Sequence, residues 1–93
     1  MDPRPHPSDA AIADEILRQV AARGADRSIC PSEVARALAP AWHPLMAPVR
    51  RVAAGLAGAN RIDILRKGKV IDPASIKGVI RLRAKPAGPT SNG

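Results

Sequence analysis

Cys30-Pro31-Ser32-Glu33 contains the only cysteine in 93 residues, and a thiol at the head of a helix can act as a nucleophile. Such a nucleophile needs a base within hydrogen-bond reach. The sequence offers only His6, in a proline-rich start, and His43, at a helix junction. Asp14, Glu15 and Glu33 fall where helices begin, which accounts for their spacing without an acid–base pair. One cysteine closes no internal disulfide, and with two scattered histidines it builds no zinc site. A glycine-rich phosphate loop is absent. The expectation is therefore no catalytic residue, no metal, no cofactor and no enzyme, with Cys30 in a structural role.

Charge is the stronger chemical signal. Fifteen Lys and Arg against eight Asp and Glu leave a net +7, and an excess of that size on a small chain favours polyanions. A GC-rich genome also supplies Arg and Ala freely, so placement counts for more than the sum. Arg50 and Arg51 are adjacent, and Arg66, Lys67, Lys69 and Lys77 gather in a later stretch followed by Arg81 and Arg83. Arginine clamps phosphate and reads guanine edges, while lysine is a point charge for phosphate.

The elements that must position these cations follow from hydrophobic period. Ser8 or Asp9 caps a first helix to Arg23, with Ile12, Ile16, Leu17 and Val20 on one stripe. Ile29 and Cys30 suit a short strand turning inward. Cys30 as N-cap, Pro31 at the first helical position and Glu33 at the third predict a second helix ending at Pro40. Trp42 to Met46 forms a turn of helix. A third helix or a bend begins near Ala47, with Val49, Val52, Ala53 and Leu56 inward and Arg50, Arg51, Ala54 and Gly58 outward. Asn60 ends it in a left-handed conformation.

The period then becomes two, predicting antiparallel strands at about 61–67 and 78–84. A Lys67-Gly68 hairpin with a return strand at 69–72 is the alternative to a long connecting loop, and Asp72-Pro73 favours the loop. Helix, strand, helix, helix, strand, loop and strand is the order of an α+β winged helix-turn-helix, with three helices, a small antiparallel sheet and a wing loop. The core must be aliphatic, because Trp42 is the only aromatic besides histidine. Residues 1–7 and 85–93, rich in Pro, Gly and polar side chains, read as disordered tails around a single domain at 8–84. MDPRPHP holds no apolar signal core and no apolar run reaches about 20 residues, so the expectation is cytoplasmic with no membrane span.

Several stretches carry a resemblance. "CPSEVARAL" at 30–38, "W..LM..VR..A..L" at 42–56, "RI" at 61–62, "KGK" at 67–69, "DP" at 72–73 and "G.IR" at 78–81 resemble a family of small bacterial proteins known only as a domain of unknown function. The resemblance spans about residues 10 to 83 and implies a winged-helix fold. It brings no activity, ligand or site residue.

In a DNA-binding winged helix the third helix enters the major groove and the wing touches the backbone. Arg50, Arg51, Arg66, Lys67, Lys69 and Lys77 are the residues expected to contact nucleic acid, with His43 or Arg36 as possible additions. The rest of the third helix's outward face is Ala and Gly. Binding should thus rest on phosphates, with low sequence specificity. The expected role is double-stranded DNA binding, in regulation or as an accessory factor, by a chain monomeric by default. The rival is a protein-interaction module docking a larger partner through the third helix and Trp42.

Overall fold

Helix α1, Asp9–Arg23, begins where the Ser8 hydroxyl accepts a hydrogen bond from the Ala11 amide at 3.0 Å, and it closes at Gly24. This is the expected cap, because Ser satisfies an amide that has no partner within the helix. The structure is a computed structural model and describes residues 7–85. Of the expected tails, residues 1–6 and 86–93 lie outside the described residues. Lys85 lies within them and bonds to Asp63.

Strand β1 is Ser28–Ile29, one residue earlier than expected, and Cys30 is the N-cap of α2, Pro31–Leu38. The Glu33 carboxylate accepts the Cys30 amide at 2.9 Å, the return half of a capping box. Arg23 reaches from the end of α1 to the Ser28 carbonyl at 3.0 Å and to Glu33 at 2.9 Å. One arginine thus ties α1, β1 and α2 together. A short 3-10 turn, His43–Leu45, runs directly into α3, Met46–Gly58. Pro48 is the third residue of α3, in the first turn, where a helix tolerates proline. Asn60 follows α3 with a φ of 62°, the left-handed residue that stops the helix.

Strands β2, Ile62–Arg66, and β4, Arg81–Ala84, pair antiparallel as expected. The segment between them corrects the long-loop expectation. Lys69–Val70 forms a return strand, β3, paired to β2 at Leu65–Val70 and Arg66–Lys69. Lys67 and Gly68 have φ values of 53° and 81°, the two positive torsions of a type I′ turn, whose twist matches that of the strands. Asp72-Pro73 does not prevent a strand of two residues. It starts the next element, a 3-10 turn at Pro73–Ser75 capped by the Asp72 carboxylate on the Ala74 amide at 2.9 Å.

The sheet order is β1-β4-β2-β3, with the helices on one face. The architecture is α+β with the winged-helix layout. Its core joins Ile12, Ile16 and Val20 of α1, Val34 and Ala35 of α2, and Val49 and Ala53 of α3 to Ile29, Ile62, Ile64, Ile80 and Leu82. Every one is aliphatic. Ile71 and Ile76 of the wing pack against this core half-buried, so the wing folds back toward α3 as a packed lobe.

Candidate nucleic-acid interface

The six expected contact residues fall on two elements, α3 and the wing, and those elements touch. Arg50 is half-buried, and its Nη1 donates to the Gly78 carbonyl at 2.9 Å. A fully outward position was expected for it. The wing's return across α3 bends that side chain onto its own backbone. Arg51 is exposed and grips Asp9 at the start of α1 through two hydrogen bonds, at 2.8 and 3.2 Å. This pairing holds the Asp9 carboxyl below its usual range, chiefly through the hydrogen bond from Arg51. The exposed positions of α3 are then Ala47, Arg51, Gly55 and Gly58, a smooth strip whose one charge has an acidic partner.

The wing is different. Arg66, Lys67, Lys69 and Lys77 make no ion pair among the described residues and fall within one short stretch, whereas Arg18, Arg23, Arg51, Arg83 and Lys85 each make one; Arg27, Arg36 and Arg61, also without one, stand singly along the chain. From Arg66 to Arg81 the chain has five cations and a single acid, Asp72, whose carboxylate is occupied by its own turn. The type I′ turn projects Lys67 at the tip, and cross-strand pairing sets Arg66 beside Lys69. A groove of about 730 Å³ opens between this turn and Gly78–Arg81, with Arg66, Lys67 and Arg81 in its lining.

Two further clusters were not foreseen from sequence. Arg81 donates through Nε to the Ser28 hydroxyl at 2.6 Å, through Nη1 to Cys30 Sγ at 2.9 Å and through Nη2 to the Ser28 carbonyl at 3.0 Å. Cys30 thus takes part in joining β4 to the head of α2. Asp63, 6% exposed, accepts from Arg83 and Lys85, both at 3.1 Å. It was expected on the polar side of an alternating strand and instead is buried on the sheet's outer face. Burial pushes its carboxyl up, but the hydrogen bonds from Lys85 and Arg83 outweigh it, and the net shift is downward. Spacing carried no signal for the Arg51–Asp9 bond, whose partners lie 42 residues apart. The Asp63 and Arg83 pairing was readable only once the strand register was known.

The remaining candidates are occupied locally. Trp42 is half-buried, stacked on His43 with ring centroids 3.8 Å apart, and the Arg36 guanidinium lies 4.7 Å from its ring centre. Among the described residues no three His, Cys, Asp or Glu side chains gather to hold a metal ion, and no helix is long and apolar enough to cross a membrane. No curated protein matches the chain. A family model described as a protein of unknown function (DUF3253) matches residues 9–85, somewhat beyond the stretch in which the resemblance was read. By that match over most of its length, this winged-helix chain belongs to the DUF3253 family.

Proposed function

We propose that the protein binds double-stranded nucleic acid, DNA in the first instance, through phosphate contacts made mainly by the wing. It acts in the bacterial cytoplasm, in regulation or as an accessory factor. One observation carries the reading: Arg66, Lys67, Lys69 and Lys77 are crowded on one lobe without ion-pair partners among the described residues. Holding like charges together costs free energy, and a row of phosphates offsets that cost. Arg50 supports from behind by fastening α3 to Gly78. Arg51 joins only by exchanging Asp9 for a phosphate. The Ala and Gly strip of α3 offers no amide or hydroxyl to base edges, so discrimination between sequences should be weak.

Titration of labelled duplex DNA at several salt concentrations tests this. With about four phosphates neutralised, log K should fall against log salt with a slope of roughly −3.6. No binding at low salt sinks the reading. Asp9→Asn refines it, since the change releases Arg51 to the duplex. That variant should bind a few-fold tighter and steepen the slope by about 0.9. An unchanged slope would show that Arg51 stays outside the interface.

The rival role, docking through α3 and Trp42, has less support. The Trp42 ring is already covered by His43 and Arg36, and half-buried rings packed on their own domain make poor anchors for a partner.

A further inference from the structure

The outer face of the sheet, away from the helices, carries a second surface that shares only cations at its rim with the duplex reading. Strand alternation defines it. Ile62, Ile64 and Leu82 enter the core, so Asp63, Leu65, Arg81 and Arg83 point the other way. The Asp63–Arg83–Lys85 cluster closes one end of this face. The 730 Å³ groove lies at the other, within the volume range of sites that seat a ligand or an anchoring side chain. Leu65 and Val79 supply its apolar wall, Lys67 and Arg81 its charge, with Arg66 at its edge where the strand enters the turn, and no carboxylate lines it.

An independent observation concerns exposure. Among the described residues, the large apolar side chains left exposed are Val70, at 57%, and Val79, at 84%. Both belong to this face. Val79 lines the groove, and Val70 is the cross-strand partner of Leu65, which places it on the same side of the sheet. A single exposed valine needs no explanation. Two of them beside one cation-rimmed groove make an apolar patch with a polar border, the pattern of a docking surface. Arg81 is held ready by Ser28 and Cys30. After those three bonds, Nη1 and Nη2 each keep one N–H.

We infer that this groove docks an acidic peptide segment of a protein partner. One aliphatic or aromatic side chain of that segment sits on Leu65 and Val79, and its carboxylates meet Lys67 and Arg81. Charge complementarity selects an acidic occupant. The apolar wall selects a peptide over a phosphodiester strand, which has no apolar group to offer it. The continuation of the patch to Val70 selects a chain segment over a small anion, which would leave Val70 in water. The inference stands apart from the duplex reading, although Lys67 serves both.

The test is fluorescence anisotropy with the full chain and a labelled peptide carrying one phenylalanine between two pairs of glutamates. Saturable binding is expected. Replacing the peptide's phenylalanine by serine, its glutamates by glutamine, or Val79→Ser in the protein should each weaken it by roughly tenfold, the worth of one buried apolar side chain or a pair of charge contacts. Val79 lies at the surface, so Val79→Ser should melt like the parent, and Lys67→Asn supplies a second variant suited to the turn. Peptide binding that ignores the phenylalanine or Val79 overturns the inference. So does binding of octanoate at the groove with no binding of the peptide. Val79→Ser should leave duplex affinity unchanged; an equal loss for duplex and peptide would assign the groove to nucleic acid and overturn it as well. Peptide binding without duplex binding upholds this inference and sinks the duplex reading, and the reverse result sinks this one.

Discussion

Replacing Arg66, Lys67, Lys69 and Lys77 together, with Asn at 67 and Gln elsewhere, should reduce duplex affinity about 10³–10⁴-fold in 0.1 M salt. The magnitude follows from counterion release. A slope of roughly −3.6 implies that binding in 0.1 M salt exceeds binding in 1 M salt by about 4,000-fold, and that excess disappears with the cations. The variant's salt dependence should flatten toward zero. Asn is chosen at 67 because that residue has a φ of 53°, a torsion asparagine accepts better than most side chains. Duplex anisotropy across a salt series reads both quantities. A variant that kept the parent's slope would move the contacts away from the wing and end the proposed function.

Asp63→Asn should lower stability by about 2 kcal/mol and the melting temperature by roughly 8–16 °C for a domain of this size. Asp63 is buried, and its two partners are not equally so: the Arg83 side chain is 27% exposed and that of Lys85 44%. The Lys85 half of the cluster is therefore screened by water and contributes less. Arg83 is the costly partner to abandon. Its Nε is already buried without a hydrogen-bond partner, and a neutral amide in place of the carboxylate would leave the guanidinium's charge uncompensated. Asp63→Leu combined with Arg83→Leu should recover most of the loss, because leucines of similar bulk remove the charge and its burial cost together. If the double variant were no better than Asp63→Asn, the cluster would matter for its shape and not its charge. Urea or thermal unfolding by circular dichroism measures each.

The same carboxyl predicts a dependence on pH. Asp63, Asp9, Glu15 and Glu33 are all held below their usual values: Asp9 and Glu15 chiefly by side-chain hydrogen bonds from Arg51 and Arg18, and Glu33 by the Cys30 amide. A group depressed in the folded state contributes stability that is complete above its unfolded value, about 4, and is lost as pH falls through the folded one. Stability should accordingly hold from neutral pH to about 5 and then decline. Asp63→Asn should be less stable at neutral pH and should decline less steeply below 4.

Much of the architecture was legible because it is local. Ser8, the Cys30-Pro31-Ser32-Glu33 box and Asn60 each act within four residues, through bonds a chain makes with its own neighbours. The stripes of α1 and α3 follow from a helical repeat that any apolar core requires. The wing was harder. Lys67-Gly68 fits both a tight turn and the start of a long loop, and the choice was made by Ile71 and Ile76 reaching the core. No property of residues 67–72 alone records that contact.

The candidate site divides along the same line. Sequence alone determined which side chains are cationic, that they cluster in two stretches, and that the stretches lie on a helix and a wing. Tertiary structure decided which of those charges are available, turning Arg50 onto Gly78, giving Arg51 to Asp9 and Arg83 to Asp63, and leaving the wing's four without such partners among the described residues. Charge is a property of a residue and can be counted along the chain. Neutralisation is a property of a distance, and only the packing of α1 against α3 and of β2 against β4 brings those partners within reach.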